Sequence, residues 1–152
     1  MNVFTFFSRY TDIIFLTILL LQHGTHCAGT IGAIGGNSLG VTSVNNDPKK
    51  FKFHIGKGLK DSGSGFSSNV MSAVQSCIDN GASVVSMSLG GSGFSATTAQ
   101  FYKKYSTSVL IIAAAGNGYS SSKHYPASYE GVMSVAAVDS AGNKAGFSQY
   151  NE

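Results

Sequence analysis

"HGTHCAGTIGAIGG", residues 23–36, packs two histidines, a cysteine and five glycines into fourteen positions. Small residues dominate from Gly24 to Gly36. The run predicts a helix over about 23–33 with a glycine-rich exit. His23 stands at the start of that helix, beside a residue with no side chain, so its ring is expected to be accessible.

Working outward, "FKFHI" (51–55) alternates apolar and polar residues at period two and predicts a strand. "DSGSGFSS" (61–68) is a loop by its glycine and serine content. In the next segment Val70, Ala73, Val74, Cys77 and Ile78 recur at helical spacing. Ser67 or Ser68 can cap that helix and Gly81 can stop it. "SVVSMS" (83–88) is rich in β-branched residues, "TTAQFYKKYS" (97–106) is helical, and "VLIIAAA" (109–115) and "VMSVAAV" (132–138) read as buried strands. "DSAGN" (139–143) reads as a turn. Strands alternating with helices imply an α/β fold with a mostly parallel sheet, and ligands of such sheets sit beyond the carboxyl ends of the strands. "LGG" (89–91) and "AGNG" (115–118) lie at two such ends.

Composition narrows the class. The chain has 152 residues, enough for one domain, and only 11% of them are charged. Its net charge of +3 shows one cluster, Lys49, Lys50 and Lys52, without the interleaved aromatics of a nucleic-acid surface, and no nucleic-acid partner is expected. Cys27 and Cys77 stand fifty positions apart and are expected to be small buried residues rather than a metal site or a disulfide. With seven acidic residues, the chain is poor in material for a carboxylate metal cage. Residues 1–22 differ from the rest. The apolar run Ile13–Leu21 has the length of a signal-peptide core but lacks a cleavage site, and is too short to span a bilayer at ~20 residues. A buried strand and a misassigned gene start are the other readings, and membrane contact is expected only through 13–21.

Three features point to peptide chemistry. His23 can serve as a base. Asn117, just past a buried strand and between two glycines, can aim its amide at a developing oxyanion. Gly63, Ser64 and Gly65, with Ser88, Leu89 and Gly90, offer two extended edges able to pair with a peptide main chain. Against these stand plainer readings. His54 and His124 are expected to be ordinary core or surface histidines, and His23 with His26 lacks the intervening glutamate of a zinc peptidase helix. Gly29, Gly32, Gly35 and Asp47 only loosely resemble a dinucleotide fingerprint, since the spacing is wrong.

"HGTHCAGTIGA", "SVVSMSLGG" and "IIAAAGNGYSSSKHYPASYEGVMSVAAVDSAGNKAGFS" resemble the subtilisin-like serine proteases, the subtilases, from His23 to about Tyr150, with Cys27 suggesting the proteinase K branch. The resemblance implies a three-layer α/β domain over 23–152 around a mostly parallel sheet. It implies that His23 is the general base, His26 structural and Asn117 the oxyanion donor. Gly63–Gly65 and Ser88–Gly90 would be the two strands that clasp a protein or peptide substrate. It implies a secreted parent, no required cofactor, and a structural calcium ion near Asn37 at most.

The family's triad runs Asp, His, Ser along the chain. Upstream of His23 stands only Asp12, followed by isoleucines rather than Ser-Gly or Thr-Gly. "DSGSG" at 61–65 falls after the histidine, so Asp61 is expected to be a solvated loop charge. No Gly-Thr-Ser-Met-Ala follows Asn117 within the 152 residues. The expectation is a partial catalytic domain, truncated at both ends, with an incomplete sheet and no activity alone. A non-catalytic peptide-binding protein of the same fold is the alternative.

Overall fold

The structure, a computed structural model, describes residues 23–47, 49 and 51–150. Three helices and three strands follow in the order α1 (His23–Gly32), α2 (Ser67–Asp79), β1 (Val84–Met87), α3 (Ala96–Tyr105), β2 (Leu110–Ala114), β3 (Val132–Val135). The strands form one parallel sheet in sequence order, with Val85 opposite Ile111 and Ile111 opposite Val132. This is the α/β architecture that the alternation implies.

The register explains the core. Val85 and Met87 stand beside Ile111 and Ala113 on one face, and all four are buried with Val74 and Cys77 of α2 and Tyr102 of α3. Each large apolar side chain buried there contributes roughly 1.5–3 kcal/mol. Helix α2 turns this apolar stripe toward the sheet through Val70, Ala73, Val74 and Cys77, at the i, i+3, i+4, i+7 spacing. Its N-cap is Phe66, with no side-chain hydrogen bond, and Ser67 and Ser68 lie inside the helix instead of capping it. Gly81 follows the C-cap Asn80 in the left-handed region, which ends the helix. Helix α3 does have a capping serine: Ser95 Oγ accepts from Thr98 N–H at 3.3 Å.

Other expectations are corrected. Residues 51–55 form no strand, and only Ile55 makes a single bridge. Phe51 and Phe53 instead meet edge to face at 4.9 Å and cover Gly32 of α1. Strand β2 is not fully buried, since Leu110 is exposed, and β3 is largely exposed, with Met133 and Val135 about half open to solvent. An apolar run reads alike whether or not a second layer covers it, and here helices α2 and α3 belong to the core on the Val85–Ile111 face. Cys27 and Cys77 are buried and neither forms a disulfide. The segment 139–143 is the expected turn, with Asp139 Oδ1 accepting from Ala141 and Asn143 N–H at 2.9 Å each. Residues 1–22, including Asp12 and the run 13–21, lie outside the described residues, as does Lys50. Among the described residues no helix is long and apolar enough to cross a membrane.

Candidate active site

Helix α1 delivers His23 to the carboxyl end of β1. Its Nε2 donates to the Ser88 carbonyl at 3.4 Å, across 65 positions of sequence. Cys27, one turn along the helix, places its Sγ 3.6 Å from the same nitrogen. Burial lowers the His23 pKa, and the neighbouring His26 acts in the same direction, while the Ser88 carbonyl opposes both. No carboxylate among the described residues hydrogen-bonds to the ring, and the first turn of α1 carries no acid.

The two extended edges share a cleft of about 390 Å³ lined by Gly63, Ser64, Gly65, Leu89 and Gly90 among others. Gly63, with φ +79°, turns the loop so that Lys60 N–H reaches the Ser64 carbonyl at 2.8 Å. Gly91 pairs with Tyr125 in an antiparallel bridge, its N–H donating at 2.8 Å and its carbonyl accepting at 2.7 Å. His23 and Asn117 lie outside this cleft's lining. The structure thus brings the two edges together and sets His23 against Ser88, the residue that leads into one of them. Asp61 is half exposed and pairs with Lys57 at 2.5 Å, so it is a loop charge with a lysine partner.

Asn117 is exposed at the end of β2, and its amide makes no hydrogen bond to another described residue. The loop carrying it is held from a distance by Gln149, a residue the sequence reading did not single out. Gln149 N–H donates to the Gly116 carbonyl (2.9 Å), its Oε1 accepts from Gly118 N–H (3.3 Å) and its Nε2 donates to the Ser122 carbonyl (2.8 Å). Gly116, with φ +110°, must be glycine: a Cβ there would overlap the Gln149 side chain.

His124 is also not the satisfied histidine that was expected. Its ring packs against Gly90 and Gly116, and a Cβ on Gly90 would overlap it. Its Nδ1 is buried with no partner among the described residues. Burial lowers its pKa as well.

These two histidines set a pH dependence. Folding holds both below the ordinary imidazole value of 6.5. As pH falls through about 6.5 the unfolded chain takes up protons first, so stability drops; well above that value both states are neutral and the two rings contribute no slope. The urea midpoint is expected to be lower at about pH 5.5 than at about pH 7.5, both above the carboxylate range. An equal or higher midpoint at the acid value would contradict the burial of these rings.

Other sequence readings resolve differently. Gly29 and Gly32 fall inside α1, not in a loop between strand and helix, which removes the dinucleotide fingerprint. Asn37 Oδ1 accepts from Leu39 N–H at 3.0 Å. The loop 34–42 contains no carboxylate, so by itself it offers an ion the Asn37 amide oxygen and backbone carbonyls, where calcium takes six to eight oxygens.

The family model described as the subtilase family matches residues 20–152. Subtilisin DY of Bacillus licheniformis is 40% identical over 131 residues, which are 83% of this chain and 46% of that protein. Subtilisin Savinase of Lederbergia lenta is 40% identical over 129 residues, 84% of this chain and 46% of its own. A solved structure of a psychrophilic subtilisin-like protease from Pseudoalteromonas sp. AS-11 superimposes with a TM-score of 0.79 at 48% identity, over 86% of this chain and 30% of that one. The chain spans less than half the length of these relatives.

Proposed function

Since the chain belongs to the subtilase family, we propose that it carries the base and the oxyanion side of a serine endopeptidase site, acting on protein or peptide chains. The observation that supports this best is the contact of His23 Nε2 with the Ser88 carbonyl, which sets a titratable nitrogen beside an extended edge able to pair with a peptide. In peptide-bond hydrolysis His23 would take the proton of a serine hydroxyl as its oxygen attacks the substrate carbonyl carbon. The Asn117 amide would donate to the oxyanion, and His23 would then pass its proton to the leaving amine as the C–N bond breaks. Gly63–Gly65 and Ser88–Gly90 would hold the main chain on two sides. This reading assigns the chain binding and both proton transfers of His23, and leaves the serine and the aspartate that steers the histidine unassigned. A secreted parent belongs to the same reading.

A second reading, a peptide binder without catalysis, is favoured by the ring of His23, whose partners among the described residues are a carbonyl and a thiol rather than a carboxylate. One experiment separates the two. The purified 152-residue chain is incubated with casein, with a serine-directed phosphonate, and with extended peptides followed by NMR. The expected result is no hydrolysis, no phosphonate labelling, and amide shifts at Gly63–Gly65 and Ser88–Gly90 on adding peptide. Casein hydrolysis that His23→Ala abolishes would overturn the expectation of inactivity and the binder reading together. Peptides that leave both edges unshifted would overturn the clasp.

A further inference from the structure

We propose that Asn117 is a site of spontaneous modification, losing its side-chain amide to the backbone nitrogen of Gly118, and that Gln149 restrains this loss. The sequence places asparagine before glycine twice, at 80–81 and at 117–118. Glycine has no side chain, so its nitrogen can approach the side-chain carbonyl of the residue before it without a steric barrier. Both asparagines and both glycines are exposed. What separates the two pairs is hydrogen bonding.

The Asn80 pair is tied at each reacting end. Asn80 Nδ2 donates to the Ser76 carbonyl at 2.8 Å, and Gly81 N–H donates to the Ile78 carbonyl at 2.9 Å, both at the C-terminal turn of α2. Ring closure there has to unwind a helix end. Asn117 lies past the end of β2 in a bend outside helix and strand, and its amide makes no hydrogen bond to another described residue. On the side of the attacking nitrogen a single hydrogen bond among the described residues stands in the way: Gly118 N–H donates to Gln149 Oε1 at 3.3 Å. An amide oxygen accepts that bond but is too weak a base to take the proton, so it holds the nitrogen without activating it. Gln149 is itself buried and anchored, with Nε2 donating to the Ser122 carbonyl at 2.8 Å and its N–H to the Gly116 carbonyl at 2.9 Å.

In the reaction Gly118 gives up its N–H proton, and its nitrogen bonds to the Asn117 side-chain carbonyl carbon. The bond from that carbon to Nδ2 breaks, and Nδ2 leaves as ammonia with the proton. Water then opens the cyclic imide at one carbonyl or the other, leaving an aspartyl or an isoaspartyl residue. Either product replaces an amide donor by a carboxylate that, once ionised, only accepts. Under the proposed function, the oxyanion side of the site would then meet negative charge with negative charge, and the loss would be irreversible.

The unaltered 152-residue chain is kept folded in mildly alkaline buffer and sampled over weeks, beside a sample in urea. Trypsin releases Asn117 within 105–123 and Asn80 within 61–103, so mass spectrometry follows the two sites separately. Both sites should convert in urea; in the folded chain Asn117 should convert and Asn80 stay intact. Gln149→Met fills similar space without the acceptor and is expected to speed conversion of Asn117 about tenfold, the effect of one hydrogen bond, with Asn80 unchanged. Gly118→Ala sets a methyl group beside the attacking nitrogen and should nearly abolish conversion. Equal rates at Asn117 and Asn80 in the folded chain overturn the proposal. An unchanged Asn117 rate in Gln149→Met, or a rise shared by Asn80, overturns the part given to Gln149. No peptide or activity enters the readout, so failure here is separate from failure of the proposed function.

Discussion

His23→Ala is expected to lower peptide hydrolysis by about a million-fold in a chain extended to supply the family's aspartate and serine, the magnitude seen when subtilisin loses its histidine. Without the imidazole nothing beside the Ser88 carbonyl accepts the nucleophile's proton, and the attacking oxygen stays protonated at neutral pH. Cys27 does not substitute. Its thiol lies near the same nitrogen, but a buried sulfur is a poor proton acceptor in this setting. Asn117→Ala in the same extended chain should cost about 100- to 1,000-fold in kcat, again the magnitude known for subtilisin, because water and backbone groups still offset part of the oxyanion's charge. Initial rates on a chromogenic peptide, with KM measured separately, check both. An extended His23→Ala chain within tenfold of the unaltered one would remove the base from the proposed chemistry.

Tyr102→Ala is expected to destabilise the domain by about 3–5 kcal/mol, a large part of the roughly 5–15 kcal/mol that holds a domain together. Tyr102 is only 1% exposed and sits where α3 meets the sheet. Its ring stacks on Tyr129 at 5.7 Å and meets Phe101 edge to face at 5.4 Å, and its hydroxyl donates to Met87 Sδ at 3.4 Å. Truncation to alanine opens a void that helix and strand cannot both close. Tyr102→Phe keeps the ring and deletes only a weak bond to sulfur, so its cost should stay below about 1.5 kcal/mol. Urea denaturation of both variants separates packing from hydrogen bonding. An alanine variant that unfolds at the same urea concentration as the unaltered chain would show that this core is not cooperative.

The sequence revealed the elements whose signal is local. Val84–Met87 is rich in β-branched side chains, α2 shows an apolar stripe at helical spacing, and Gly81 marks its end. His23, Ser88 and the glycine-flanked Asn117 were legible for a different reason: each sits where a strand or helix begins or ends, and the order of the motifs matched a known family. What escaped depends on distant parts of the chain. The exposure of Met133 and Val135 is decided by what covers the sheet, not by their own hydrophobicity. The strand expected at 51–55 failed because alternation suits a half-buried surface but does not supply a neighbouring strand to pair with. Gln149 and His124 act through approaches to Gly116 and Gly90, at separations no periodicity encodes.

The grip of Gln149 on the loop 116–118 has a consequence for the order of events during synthesis. His23 and Ser88 have both been translated by position 88, whereas the loop bearing Asn117 waits for a residue 31 positions beyond Gly118. A nascent chain therefore holds both partners of the His23–Ser88 contact well before it holds the residue that grips the loop bearing Asn117. Under the proposed function, the oxyanion side of the site would be completed only after the polypeptide has emerged well past Asn117.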